Sequence, residues 1–234
     1  MTVLVCAATR SELAACARGI RVSGVPSAAF ETFVTGVGLV RAAKSLAARF
    51  AREELPSLVV SSGFAGVLSP GIPVGCWVTA TRVAELCNGA CVDVREVTLR
   101  EAPSPALRCN VVSSGSVLQR GTSENLLPPR ADGPTTLAVD MESAAIAREA
   151  AGRGVAVMVL RLVSDTPEQP LPEFLTPFAA AMASIGVRAR IAHGASGVRS
   201  ALGDPRGVAR LVRDGSAWTG ELARGWEHFA RVIA

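Results

Sequence analysis

The sequence contains no tyrosine, a single lysine and two histidines, and aromatic residues make up only 4% of its 234 residues. It also lacks any apolar stretch of the roughly 18 to 20 residues that a membrane-spanning helix requires. The apolar run near the N-terminus is short and has no basic flank, unlike a secretory signal. We therefore expect neither a membrane-spanning protein nor an exported one.

The six cysteines form no Cys-x-x-Cys pair. Cys87 and Cys91 are separated by four positions, but His193 and His228 lie far downstream. A zinc site needs about four ligands at short paired spacings, and a disulfide framework is typical of smaller secreted chains. The pattern therefore predicts reduced thiols in a cytoplasmic protein, with no metal site and no cofactor.

The positive charge is almost entirely arginine and is spread along the chain. The formal net charge is +4 and the isoelectric point is about 9.0, but no run of adjacent basic residues occurs. Binding to nucleic acid would favour a patch of one sign that follows the phosphates. We expect a small-molecule ligand and no nucleic-acid partner.

Hydrophobic residues make up 49% of the chain, and their spacing alternates between strand and helix periods. Continuous apolar strands alternating with helices predict a largely parallel sheet covered by helices on both faces, with an antiparallel part. We predict a three-layer α/β/α domain with a central mixed sheet over residues 1–197 and a helical C-terminal extension over residues 198–234. The predicted strands are Val3–Ala7, Phe30–Thr35, Leu58–Ser61, Pro73–Thr81, Val92–Leu99, Leu107–Ser113, Thr136–Val139 and Val155–Val163, and the predicted helices include Ser11–Arg18, Leu39–Glu53 and Met141–Gly152.

A small-residue loop, Ser62–Gly66, is expected after the third strand, and a longer loop is expected over residues 115–134. The C-terminal helical sequence is expected to break at Gly194–Gly197 and again at Gly203–Pro205.

Acidic residues follow several predicted strands. Glu12 follows the first strand, Asp140 and Glu142 follow the strand ending at Val139, and Asp165 follows the strand ending at Val163. Ligands in open α/β sheets bind beyond the carboxyl ends of the strands. Two carboxyl groups facing one crevice can divide into acid and base, whereas any one alone would serve as a helix cap or a solvated loop acid. The spacing by itself predicts an α/β enzyme of unspecified reaction.

Four segments of the sequence carry a further signal: Thr35–Gly38, Ser62–Leu68, Val139–Ala147 and Leu160–Asp165. Taken together, they resemble the nucleoside phosphorylase superfamily, including its 5′-methylthioadenosine/S-adenosylhomocysteine nucleosidases. They occur in the family's order over about residues 1–185. The resemblance implies the family's α/β fold, cleavage of an N-glycosidic bond with release of a purine, no cofactor and a homodimer.

The resemblance also implies roles for individual residues. Asp165 would be the general acid that protonates a ring nitrogen of the purine, and Glu12 would orient or deprotonate the attacking water. Glu142 would accept hydrogen bonds from the ribose hydroxyls, while Met141 would pack beneath the sugar. The remaining candidates for substrate contact are Ala65, Gly66, Phe64, Ser164, Leu118 and Gln119, and the candidates for a supporting role are Arg161 and Arg10. A structural ion pair is the alternative for Arg161.

The choice between water and phosphate depends on the phosphate ligands. Phosphorylases of this superfamily carry an arginine before the glycine-rich segment and a serine within it, whereas this chain has Ser61 and Phe64 there. Neither can hold a phosphate dianion as an arginine does. Water is the expected nucleophile, and the alternatives are a phosphate-dependent phosphorylase or a nucleoside-binding protein without catalysis.

The C-terminal part of the chain adds a question of substrate and location. Ser164–Pro167 and the long tail resemble the hopanoid-associated branch, which implies adenosylhopane as a substrate; futalosine hydrolases usually carry Asn at the Ser-Asp position. An apolar stripe at helical spacing comprises Trp218, Leu222, Trp226, Phe229 and Ile233. A stripe of this kind packs on a protein core or partner, or it lies in a membrane surface, here through residues 214–234 at the inner face.

Overall fold

The structure, a computed structural model, describes residues 2–116, 126–127, 133–172, 175–183 and 187–234. Nine strands and six α-helices occur in these residues, and a short 3₁₀ turn, Ser27–Ala29, precedes the second strand. The strands are β1 Val3–Ala7, β2 Phe30–Val34, β3 Leu58–Val67, β4 Trp77–Cys87, β5 Ala90–Asp93, β6 Leu99–Arg100, β7 Leu107–Ser113, β8 Leu137–Asp140 and β9 Ala156–Asp165. The helices are α1 Arg10–Val22, α2 Leu39–Phe50, α3 Ser143–Ala151, α4 Leu175–Ala183, α5 Val187–Gly203 and α6 Pro205–Ile233.

The strands form one mixed sheet in the order β2-β1-β3-β8-β7-β4-β9-β6, with β5 paired to β4. β1, β2, β3 and β9 run parallel, whereas β8 is antiparallel to β3 and β4 is antiparallel to β9. β3 pairs with β9 as well as with β8, so β3, β8, β7, β4 and β9 form a closed ring of paired strands. The predicted central mixed sheet is confirmed, and its closure brings the ends of β3 and β9 together.

Helices cover both faces of the sheet, which confirms the predicted three layers. α2 and α3 contribute Leu46, Phe50 and Ile146 to the core on one face. α1 and α6 contribute Cys16 and Trp226, with their neighbours, to the core on the other face. Burial of these apolar side chains, at about 25 cal/mol per Å² of apolar surface, is what holds the helices to the sheet.

The glycine-rich segment Ser62–Gly66 is part of a strand, so the predicted loop is wrong. β3 continues to Val67, and its register with β9 runs unbroken from Leu58 to Ala65. The continuous pairing satisfies the backbone groups that a loop would expose to water. The segment is therefore paired backbone at the carboxyl end of a central strand.

Three other predicted boundaries also differ. Strand β4 begins at Trp77 because Pro73–Gly75 forms a turn, in which the Cys76 N–H donates to the carbonyl of Pro73. The predicted strand Val92–Leu99 is divided between β5 and β6. Helix α5 continues through Gly194–Gly197, since interior glycines weaken a helix by about 1 kcal/mol each without ending it. The break at Gly203–Pro205 is where predicted.

The apolar stripe of the C-terminal segment packs against the chain's own core. Leu222, Trp226 and Phe229 on α6 are at most 1% exposed. At Gly19 on α1, an added Cβ would lie 2.2 Å from the carbonyl oxygen of Ala223, so only glycine allows this close approach. These three side chains of the stripe are therefore used in packing on the core, whereas Trp218 and Ile233 at its two ends are half-buried. No helix among the described residues is long and apolar enough to cross a membrane.

Candidate active site

Three parts of the chain place charged side chains toward the carboxyl ends of β3 and β9. Glu12 comes from α1, Glu142 from the turn between β8 and α3, and Arg161 and Asp165 from β9. Gly63 on β3 lies between two of them: a Cβ at this position would be 2.5 Å from Oε1 of Glu12 and 2.9 Å from Nη1 of Arg161. The φ of Gly63 is +130°, which also favours glycine.

Arg161 is a buried ion-pair centre. Its side chain is 1% exposed, and Nη2 lies 2.8 Å from Oδ2 of Asp140 and 3.8 Å from Oε2 of Glu142. Burial lowers the pKa of Arg161, but the adjacent carboxylates raise it more, so the guanidinium remains charged. It also donates to the carbonyl of Ser62 at 2.9 Å, to Oγ of Ser61 at 2.9 Å and to Oγ of Ser143 at 3.0 Å. The structural ion pair named as an alternative for Arg161 is therefore present.

Three donors fix the carboxylate of Glu12. The backbone N–H and the hydroxyl of Thr9 donate to Oε2 at 2.9 and 2.6 Å, and the N–H of Phe64 donates to Oε1 at 3.2 Å. Thr9 and Glu12 form a capping box, which is why α1 begins here. The same residues that start the helix therefore hold Glu12 against β3.

Asp165 ends β9 beside a glycine. Oγ of Ser164 donates to Oδ1 of Asp165 at 2.7 Å, and a Cβ at Gly66 would lie 2.6 Å from Oδ2. Burial raises the pKa of Asp165, and the hydrogen bond from Ser164 only partly offsets this. No helix begins at Asp165 in the described residues, so the alternative role as a helix cap is not supported.

Glu142 is almost completely buried, with 5% of its surface exposed. The pKa of Glu142 is raised to about 7, chiefly because burial disfavours its charged form. The guanidinium of Arg161 opposes this increase, and Asp140 adds to it. The hydrogen bond that Oε1 accepts from the N–H of Gly38, at 2.9 Å, also lowers the pKa. Gly38 lies in the turn between β2 and α2, so this hydrogen bond joins that turn to Glu142. Half-buried Met141 precedes Glu142 in the chain.

The other predicted residues fall in different places. Ala65 and Gly66 are buried on β3, next to Asp165. Phe64 is half-buried, and its ring centroid is 6.2 Å from that of Trp218 on α6. Arg10 is exposed in the first turn of α1. Leu118 and Gln119 lie outside the described residues.

Thr9 had no predicted site role, and Asp140 was predicted only as one of the carboxyl groups that follow the strands. Thr9 holds Glu12, and Asp140 pairs with Arg161 while accepting a hydrogen bond from Ser113. The Thr-x-x-Glu pattern of a capping box was a usable signal for Thr9. The pairing of Asp140 with Arg161 forms because β8 and β9 both pair with β3. No sequence pattern within either strand indicates this pairing.

Among the residues that the structure describes, no three metal-ligating side chains converge on a point suited to a metal ion. All six cysteines are free, and Cys6, Cys16 and Cys109 are buried. Burial raises the pKa of each of these three thiols to about 12, so they stay protonated and inert.

Comparison with known proteins gives a consistent family. The model of the phosphorylase superfamily matches residues 32–192, more than half of the chain. The fold is similar to that of Helicobacter pylori 5′-methylthioadenosine/S-adenosylhomocysteine nucleosidase, with 13% identity, a TM-score of 0.58, and coverage of 100% of this chain and 97% of that one.

Two further solved structures resemble the chain at similar levels. Streptococcus pneumoniae MTA/SAH nucleosidase, in complex with 8-aminoadenine, has 21% identity and a TM-score of 0.56 over 72% of this chain and 88% of that one. A futalosine hydrolase mutant of Helicobacter pylori has 14% identity and a TM-score of 0.53 over 70% and 90%. At these identities the likeness establishes the fold. No curated protein matches the sequence significantly.

Proposed function

The chain belongs to the phosphorylase superfamily, a superfamily of enzymes, and from this premise we propose that it is a purine nucleosidase. The proposed reaction is hydrolysis of the N-glycosidic bond of an adenine nucleoside that carries a 5′ substituent, with release of adenine. One observation supports water, and not phosphate, as the nucleophile. The site has a single guanidinium, that of Arg161, which is already paired with carboxyl groups.

The electrostatics favour a cationic transition state. Three carboxyl groups lie around Arg161, those of Glu12, Asp140 and Glu142, and Asp165 ends the same strand. Such a site stabilises the positive charge that develops on the sugar as the bond breaks, and it repels a phosphate dianion. Ser61, which stands where the phosphorylases have an arginine, is occupied by hydrogen bonds to Ser143 and Arg161.

Asp165 supplies the proton for the leaving group. Its raised pKa favours the protonated form, as a general acid near neutral pH requires. Proton transfer from Asp165 to a purine ring nitrogen neutralises the base as the carbon–nitrogen bond breaks. The hydrogen bond from Ser164 then stabilises the carboxylate that remains.

Glu12 and Glu142 act on the sugar side. Glu12, fixed by Thr9 and the backbone of Phe64, orients a water molecule and accepts its proton as the water oxygen bonds to the anomeric carbon. Glu142 accepts hydrogen bonds from the ribose hydroxyls, and Met141 packs beneath the ring. Atoms balance as nucleoside plus water giving adenine plus the free sugar.

A phosphorylase is the second candidate, and one observation favours it. A depression of about 440 Å³ at the end of β2 is lined by Thr35, Arg41, Lys44 and Ser45, among others. Two cationic side chains near a helix N-terminus can attract an anion. In a phosphorylase that uses this depression, Lys44→Ala would lower phosphate-dependent turnover; in the nucleosidase it leaves adenine release unchanged.

The proposal also covers the base, the 5′ group, the location, the oligomeric state and the extent of the catalytic unit. Adenine as the base, and a thioether or a lipid such as adenosylhopane as the 5′ group, are supported by the names of the structural neighbours and by the sequence motifs. Six free cysteines support a cytoplasmic location. We further propose a homodimer, measurable by light scattering, and a catalytic unit over residues 1–197, a boundary that lies within α5.

The test measures adenine release from 5′-methylthioadenosine and adenosine by wild type, Asp165→Asn and Glu12→Gln. We expect each variant to lose at least a hundredfold in kcat while still binding adenine. Glu101→Gln, which removes a half-exposed carboxylate paired with Arg108, is the matched control and should retain wild-type kcat. Binding of adenine by wild type without turnover of either nucleoside would replace the nucleosidase with a nucleoside-binding protein.

A further inference from the structure

The indole of Trp226, in the C-terminal half of α6, is buried and hydrogen-bonded to the central strand β3. Its Nε1–H donates to Oγ of Ser62 at 2.8 Å, and both residues are 0% exposed. A buried indole N–H needs an acceptor, because it loses its hydration when the chain folds. The serine at position 62 therefore gives α6 a fixed point of attachment on β3.

The same serine joins α6 and β3 to a second helix, α1. Sγ of Cys16, a protonated thiol on α1, donates to Oγ of Ser62 at 3.8 Å. Trp226 also packs directly on α1, since a Cβ added at Gly19 would lie 2.6 Å from the Cβ of Trp226. The side chains of Trp226 and Ser62 therefore connect α6, α1 and β3, and α1 is the helix that carries the proposed catalytic glutamate.

The point of attachment is next to the charged groups of the candidate active site. The carbonyl of Ser62 accepts a hydrogen bond from Nη1 of Arg161 at 2.9 Å. A Cβ at Gly63 would lie 2.5 Å from Oε1 of Glu12, and the N–H of Phe64 donates to the same oxygen at 3.2 Å. The backbone of these three consecutive residues of β3 therefore sets the positions of both charged side chains.

The hydrogen bond from Phe64 is the contact most sensitive to a movement of β3. Its length of 3.2 Å is at the upper end of the usual range for an N–H donor, about 2.7–3.2 Å. The regular register of β3 with β9 is interrupted between Ala65 and Gly66, directly after this residue. Because regular pairing ends here, a side-chain attachment at Ser62, two residues earlier, holds the strand where pairing with β9 no longer does.

We propose that Trp226 is a positioning residue of the active site, whose indole N–H, acting through Ser62, keeps this part of β3 in place for Glu12 to activate water. The proposal rests on the proposed function, since it takes Glu12 to be the group that accepts the proton of the attacking water. Trp226 is fully buried, so it does not touch a nucleoside and acts through β3. Its helix begins at Pro205, beyond residue 192, where the match to the superfamily ends.

The test compares kcat for adenine release from 5′-methylthioadenosine by wild type, Trp226→Phe and Ser62→Ala. Trp226→Phe keeps an aromatic ring in the core and removes the donor, whereas Ser62→Ala removes the acceptor. Each variant should lower kcat about fivefold, the equivalent of one hydrogen bond, and the double variant should lower it no further. The dissociation constant of adenine should stay within twofold of wild type, because the base is released on the side of Asp165.

Two controls separate positioning from a general loosening of the core. Trp77→Phe makes the same change in the same apolar cluster, where the Trp77 ring packs edge-on against Phe229 with centroids 5.0 Å apart. It should leave kcat within twofold, since a loss caused only by weaker packing would appear in both tryptophan variants. In the Glu12→Gln protein, Trp226→Phe should not lower the residual rate further, because the group that it positions is absent.

A loss of about fivefold that Trp226→Phe and Ser62→Ala share, that Trp77→Phe lacks and that disappears in the Glu12→Gln protein supports the proposal. Equal losses in the two tryptophan variants, a further loss in the Glu12→Gln protein or an equal loss of adenine affinity overturn it. Wild-type kcat in Ser62→Ala overturns it even if Trp226→Phe does not fold. A wild type that releases no adenine overturns the proposed function as well, whereas an active wild type with an unaffected Trp226→Phe overturns this proposal alone.

Discussion

The buried carboxyl group of Glu142 predicts a specific dependence of stability on pH. Its pKa is about 7 in the folded protein, against 4.5 for an ordinary glutamate, because burial disfavours its charged form. Between these two pH values the folded state binds more protons than the unfolded state, so the free energy of unfolding falls as pH rises. Glu142→Gln keeps an acceptor for the N–H of Gly38 and removes the titration.

The magnitude follows from the two pKa values. Each unit of pKa difference corresponds to 1.36 kcal/mol, so complete ionisation of Glu142 costs about 3 kcal/mol. Part of this cost is already present at pH 5, since the unfolded-state carboxyl is ionised above pH 4.5. We therefore expect the stability of Glu142→Gln, relative to wild type, to increase by about 2–3 kcal/mol between pH 5 and pH 8.5.

Urea unfolding followed by tryptophan fluorescence at several pH values measures this difference. Subtracting wild type from the variant cancels the titration of the groups that do not interact with Glu142. Glu101→Gln, at a half-exposed ion pair with Arg108, serves as the control and should differ from wild type by less than about 0.5 kcal/mol at every pH. A stability difference for Glu142→Gln that is constant over this range would refute the reasoning.

Three other substitutions test the packing around the site. Gly66→Ala places a Cβ 2.6 Å from Oδ2 of Asp165, so kcat should fall at least tenfold; a kcat within twofold of wild type contradicts this. Arg161→Met leaves Asp140 buried without its ion pair and should lower the free energy of unfolding in urea by about 3–5 kcal/mol, whereas a loss below about 1 kcal/mol would disprove the buried pair. Gly19→Ala brings a Cβ within 2.2 Å of the α6 backbone and should cost about 1–3 kcal/mol in thermal unfolding; an unchanged midpoint would show that the helices can separate freely.

The layers of the fold and most strand positions could be predicted because apolar periodicity is a local signal. β1, β2 and β7 occur within a residue of their predicted bounds. Helix α2 begins at the predicted Leu39. The glycine-rich segment was mistaken for a loop because its strand conformation depends on pairing with β9, almost a hundred residues later in the chain.

The carboxyl groups of the site were predictable, but their electrostatic setting was not. Glu12, Glu142 and Asp165 each follow a predicted strand in the sequence. This position indicates that they lie at the carboxyl ends of the strands. The raised pKa of Glu142 depends on how completely the folded chain buries it. The cavity between α6 and the segment after β9, lined in part by Ser164 and Trp218, likewise depends on where α6 passes the end of β9, and the spacing of Trp218 on its helix gave no indication of it.

Product identity tests the central claim most directly. Wild-type enzyme is incubated with 5′-methylthioadenosine in buffer without phosphate and again with about 10 mM phosphate, which lies above the usual range of KM values. If water is the nucleophile, as we propose from the excess of carboxyl groups around Arg161, adenine and the free reducing sugar form at the same rate in both. Release of adenine only with phosphate, together with a pentose 1-phosphate, would contradict the account.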